Sequence, residues 1–179
     1  MSPRPVFLGL LLLALPVLRA AEDRIPTPEP IGHSSDGHLI VRLGEKVQVY
    51  ELEAGEKSYR QTASFWPASD APLRAMVTDD GKFIVTLDTT LGMGRGDVVV
   101  VYDRTGRKVK SWKLDDILQP EDRAVVISTA RGEWWRQDAV LYTDPAMLVV
   151  AGPSERFGAP KRRYWYALDL TTLAWAKKR

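Results

Sequence analysis

Between Asp79 and Leu114 the chain alternates short runs of β-branched and aromatic residues with glycine and aspartate turns, a pattern that leaves little room for long helices. An Asp80-Gly81 turn leads into Phe83-Ile84-Val85, and a glycine-rich stretch from Gly92 to Gly96 leads into Val98–Tyr102. A turn at Arg104–Arg107 then precedes Val109–Trp112. Runs of this length, composition and punctuation read as a meander of antiparallel strands.

The same order occurs upstream. Asp36-Gly37 precedes Leu39-Ile40-Val41, then Val47–Leu52, a turn at Glu53–Lys57, and Ser58–Phe65. DGHLIV aligns with DGKFIV, and VQVYELEAGEK with VVVYDRTGRK. A more divergent third copy follows: Ala139–Thr143, an Asp144-Pro145 turn, Met147–Ala151, a Gly/Pro loop at Gly152–Arg162, Tyr164–Asp169 and Leu173–Trp175. The turn aspartates Asp36, Asp80 and Asp144 lie 44 and 64 residues apart, one blade-sized period and one such period plus an insertion. Asp115–Leu118 reads as a helical turn ended by Pro120, and accounts for part of that insertion.

The central copy resembles a blade of the Trp-Asp-repeat type of β-propeller. Asp79-Asp80-Gly81-Lys82 stands where such blades carry Pro-Asp-Gly-Lys, Tyr102-Asp103 where they carry Trp-Asp, and Thr105-Gly106-Arg107 forms the following turn. The chain is also similar to exported propeller-like proteins of bacteria. The likeness covers residues 36 to 175, most strongly 79 to 114, and lacks the blade's Gly-His pair. It implies an all-β fold of antiparallel blade-like repeats. Three copies are fewer than the four or more blades of a closed ring, so a curved sheet, a compact β-sandwich and an oligomerised partial propeller stay open.

Residues 1–20 have the layout of a secretory signal peptide: Arg4, an uncharged apolar run Val6–Leu18, and Ala20-Ala21 ahead of the first acids. Thirteen apolar residues fall short of the roughly 20 that span a bilayer as a helix. Cleavage after Ala20 leaves Leu18 at the −3 position, larger than is preferred there, and an uncleaved anchor is the competing reading. The domain plan is thus a leader at 1–20, a proline-rich extended linker at 21–35 (Pro26, Pro28, Pro30), and a β-repeat domain at 36–179. The expected location is secreted or periplasmic, without stable membrane insertion once the leader is removed.

Removing the leader takes away Arg4 and Arg19 and no acid, so the remaining 23 basic and 23 acidic residues balance. A neutral chain lacks the electrostatic basis for nucleic-acid binding. Cysteine is absent, which excludes disulfides and thiolate zinc sites, so the domain must be held by its core. His33 and His38, the only histidines, are too few for a metal site without a defined third ligand. Gly92-Met93-Gly94-Arg95-Gly96 lacks the Lys-Ser/Thr of a phosphate loop and joins two strands, which makes it a flexible inter-strand loop. Carboxylate pairs at Asp79-Asp80, Asp115-Asp116 and Glu121-Asp122 read as solvated turn acids. No cofactor is expected.

One segment remains as a candidate site: Arg131, Trp134, Trp135 and Arg136, in a stretch of turn character between repeats. Trp and Arg are the residue types that anchor interfaces. The competing reading packs one Trp in the core and pairs Arg136 with Asp138. The functional expectation is an exported, non-catalytic repeat protein that binds an unidentified protein or small ligand, with self-association through uncovered edges as a further outcome. The alternative is a small exported hydrolase using acids near Trp134-Trp135. If the leader works, the exported protein begins at Ala21; N-terminal sequencing that finds Met1 on membrane-bound protein would replace the signal by an anchor.

Overall fold

The computed structural model describes residues 31–69, 71–89, 93–130, 132–152 and 165–178. The leader and most of the linker lie outside them. Of the described residues 52% are strand and 6% helix, all in antiparallel pairings apart from one isolated bridge. The protein is all-β.

Three four-stranded meanders follow one another, each with its strands in chain order. Sheet one comprises β1 (Ile31–His33), β2 (Leu39–Leu43), β3 (Val47–Leu52) and β4 (Tyr59–Phe65). Sheet two comprises β5 (Arg74–Val77), β6 (Phe83–Leu87), β7 (Val99–Asp103) and β8 (Lys108–Trp112). After it come two single-turn helices, α1 (Leu114–Ile117) and α2 (Pro120–Arg123), and a small hairpin of β9 (Ile127–Thr129) and β10 (Gly132–Trp134). Sheet three comprises β11 (Ala139–Thr143), β12 (Ala146–Ala151), β13 (Trp165–Asp169) and β14 (Ala174–Lys178). The first strand, β1, lies inside the stretch read above as linker; its Gly-His sequence carries no apolar alternation, and pairing with β2 orders it. Strand β5 was likewise not legible as a separate run. Pro120, expected to end a helical turn, also starts the next, where its missing N–H costs nothing.

The aspartate turns are one device built twice. Ser34 Oγ donates to Asp36 Oδ1 at 2.6 Å and accepts from Leu39 N at 2.9 Å. Thr78 Oγ1 donates to Asp80 Oδ1 at 2.8 Å and accepts from Phe83 N at 3.1 Å. Gly37 and Gly81 follow with φ of +73° and +66°, a region costly for a residue with a Cβ. Hydrogen bonding favours the ionised forms of these carboxyls: the Ser34 hydroxyl lowers Asp36. Partial burial raises Asp80, but the donors of Lys82 and Thr78 outweigh it and bring it to about 2.

Sheet two is covered on both faces. Ala75, Val77, Ile84, Val100 and Tyr102 pack with Leu39, Val41, Val47 and Val49 of sheet one. The alternate residues Met76, Val85, Leu87, Val99, Val101 and Trp112 pack with Leu148, Val150, Tyr166 and Leu168 of sheet three. Period-two alternation thus sends neighbouring side chains to two different cores, which is why β6 and β7 are apolar at nearly every position. Fully burying each Val or Leu contributes about 1.5–3 kcal/mol.

The first strands of the sheets lie side by side. Arg74 of β5 donates to Ala139 O of β11 at 2.8 Å. Asp79, in the β5–β6 turn, accepts from the backbone and hydroxyl of Ser35 and from Thr143 Oγ1, so the first turns of all three sheets meet on one carboxylate. Between β1 and β5 the approach is so close that a Cβ on Gly32 would stand 2.1 Å from Ala75 O. Gly32→Ala should therefore separate the strands and cost about 1–3 kcal/mol or more. Gly44→Ala, whose nearest neighbour would be 3.8 Å away, should be close to neutral. Equal urea midpoints for the two variants would remove the steric argument.

Candidate functional site

Strand direction sorts the connections into two ends. The tight turns at 34–38, 53–58, 78–82, 103–107, 143–146 and 170–173 all belong to one end, as the Ser35–Asp79–Thr143 contacts require. The crossover at 66–73, the glycine-rich stretch 88–98 and the insertion 113–138 emerge at the other. Binding residues concentrate on loops held by a rigid scaffold. This second end, which also carries the tryptophan pair, is the candidate site.

Its organiser is Asp88, at the end of β6. The residue is fully buried and adopts φ +52°, a left-handed conformation that Asp tolerates better than most residues. Oδ1 accepts from Trp135 Nε1 at 2.8 Å and from Gly94 N at 3.0 Å, and Oδ2 accepts from Arg136 Nε at 2.8 Å. The Arg136 side chain is itself only 11% exposed. A charge this deep is tolerated only when paired and hydrogen-bonded, and here three donors supply both.

Around Asp88 two backbones come into contact. Met93 O accepts from Glu133 N at 2.7 Å, and Met93 and Gly132 form a parallel bridge. A Cβ on Gly94 would lie 2.5 Å from Glu133 O, and one on Gly132 would lie 2.5 Å from Met93 O. The glycines of this loop therefore serve close approach. At Met93-Gly94 the loop is pinned, where the sequence alone suggested a flexible connection.

The insertion is anchored by charge. Arg123 Nη2 donates to both carboxylate oxygens of Glu133, at 3.0 and 2.9 Å, and its Nε donates to Asp115 at 2.9 Å. The bond to Glu133 is the main cause that raises the Arg123 guanidinium above its ordinary value. Buried Asp122 accepts from the Tyr166 hydroxyl and pairs with Lys177, tying α2 to β13 and β14.

Of the four residues singled out in the sequence, Arg131 lies outside the described residues. Trp135 is wholly buried and Arg136 is enclosed with Asp88, so neither offers its side chain to a partner in this conformation. Trp134 is half-buried, packed against the larger core at the end of β10. The pairing of Arg136 with Asp138 does not form; Asp138 pairs with Arg74 at 3.3 Å. Sequence reasoning missed Asp88, whose indole and guanidinium partners lie 47 and 48 residues away. It also missed Trp66, which is 65% exposed at the loop-bearing end with Lys46 Nζ 5.1 Å from its ring centre. His38 Nε2 lies 3.2 Å from Glu51, and among the described residues no group of three His, Asp or Glu is placed to hold a metal.

A graded series tests the Asp88 cluster. Trp135→Ala should cost about 3–5 kcal/mol, and Asp88→Ala, which strands the Arg136 charge, a similar amount. Trp135→Phe, which removes the N–H but keeps the ring, should cost about 1–2 kcal/mol, and Trp134→Ala should cost clearly less than Trp135→Ala. Denaturant unfolding of the four variants checks the order, and a Trp134→Ala cost equal to that of Trp135→Ala would contradict the burial difference. The chain matches no protein-family model and no curated protein, so its functional reading rests on this geometry.

Proposed function

We propose that this chain is an exported, non-catalytic β-repeat module that binds a protein or small ligand through the loop-bearing end of its stacked sheets. One observation carries the reading: the long connections 66–73, 88–98 and 113–138 gather at that end, on a scaffold whose opposite end is closed by short turns, most of them built on an aspartate. The stack of successive meanders supports a kinship with propeller blades, and the layout of residues 1–20 supports export. Among the described residues no helix is long and apolar enough to cross a membrane.

The acids that a hydrolase near the tryptophan pair would use are already engaged. Asp88 is paired with Arg136, Glu133 with Arg123, and Asp138 with Arg74. Exposed Trp66 beside Lys46 and the accessible part of Trp134 offer the aromatic and cationic surface that partner recognition uses.

Photo-crosslinking in cells producing the exported chain tests the assignment. A photoreactive residue at position 66, 95 or 134 should give adducts with another protein, and one at position 57 or 171, in the tight-turn end, should not. Adducts from the tight-turn end alone, or equally from both ends, would overturn the placement. A small ligand would instead protect Trp66 or Trp134 fluorescence from acrylamide quenching, when candidate ligands are added to the purified chain.

A further inference from the structure

The two contacts between sheets are copies of one another. Ile84 and Tyr102 are cross-strand partners on the face of sheet two that looks back at sheet one; Leu148 and Leu168 are partners on the face of sheet three that looks back at sheet two. Each backward face also carries a buried tyrosine whose hydroxyl grips the chain just past the preceding sheet. Tyr102 Oη accepts from Ala68 N at 2.8 Å, beyond β4. Tyr166 Oη, one pleat along on β13, accepts from Gln119 N at 3.1 Å, beyond β8.

Sheet one carries a tyrosine at the corresponding place. Tyr50 is paired with Ile40, as Tyr102 is with Ile84, and stands on a more polar backward face with Ile31, His33, Arg42 and Gln48. Among the described residues no sheet precedes it. At the other end of the stack, no described sheet covers the forward face of sheet three. Val140, Tyr142 and Trp165 are 42%, 49% and 43% exposed there, beside half-buried Met147 and Val149. Their strand neighbours Ala139, Leu148 and Val150 point into the core and are buried.

We propose that a second copy of this chain covers both faces, the forward face of each sheet three packing on the backward face of the partner's sheet one. The occupant follows from continuity: forward face on backward face is the contact this chain already makes twice. The two surfaces differ, so the contact is heterologous. A two-fold rotation satisfies it twice and closes it. The product is a ring of six four-stranded sheets, within the range of closed propellers. This inference concerns sheet faces and stands apart from the binding role of the loop-bearing end.

Sedimentation equilibrium on the full exported chain tests it, with circular dichroism to show that each variant folds. The wild type should be a dimer. Val140→Asp with Tyr142→Asp, on the forward face, should weaken it at least about a hundredfold, and Ile31→Asp with Arg42→Glu, on the backward face, should do the same. Mixing the two variants should restore a heterodimer through the one contact left intact. Tyr50→Phe should weaken dimerisation roughly three- to tenfold with no change in far-ultraviolet dichroism. Should a double variant not fold, Tyr142→Lys alone and Arg42→Glu alone give the same comparison from exposed positions. A wild type that stays monomeric at high concentration overturns the proposal, as do oligomers that grow without closing. A backward-face variant that still dimerises would mean that two forward faces pair with each other, and would overturn it as well.

Discussion

A sheet that is apolar on both faces has no surface to give to water, and this condition on sheet two governs the rest of the molecule. Its strands place Val85, Val99 and Val101 in one core and Ile84, Val100 and Tyr102 in another. Neither set is covered by sheet two itself, so a sheet is needed on each side. Sheets one and three meet that need with one face each, which leaves their far faces in a different situation from their near ones. The asymmetry between a filled middle and two ends follows from the alternation of side chains along β6 and β7.

The loop-bearing end obeys a second constraint, set by charge. Asp88 sits where β6 leaves the core, and its carboxylate collects an indole N–H, a backbone N–H and a guanidinium. With both oxygens engaged, its role is to hold two distant stretches together: the glycine-rich loop and the start of the third repeat. The glycines at 94 and 132 belong to the same arrangement, since side chains there would keep the backbones apart. What looks like a loose connection in composition is a junction in space.

The legible and illegible parts of the fold divide along physical lines. Strands such as Val47–Leu52 and Val99–Asp103 announce themselves because β-branched and aromatic runs between glycine turns have few other uses. The aspartate turns were legible for the same local reason: an aspartate followed by glycine accepts from the backbone N–H two residues on, and the glycine takes the left-handed conformation that the turn needs. Strand β1 and the β9–β10 hairpin were not, because Ile31-Gly32-His33 and Gly132-Glu133-Trp134 take their form from a partner strand or a neighbouring loop. The Trp134-Trp135 pair drew notice through residue type alone. Which ring is buried depends on Asp88, and no local pattern connects position 88 with position 135.

Asp79 touches sheet one through Ser35 and sheet three through Thr143 while belonging to sheet two. In a linear array each repeat meets only its neighbours, stability is a sum of pairwise steps, and an end unit can fray alone. One carboxylate shared by three repeats breaks that rule. Loosening sheet one releases a donor from Asp79, loosening sheet three releases another, and either loss is felt at the turn that starts β6. The tight-turn end therefore couples the two outer sheets to each other through the middle one, beyond nearest-neighbour packing.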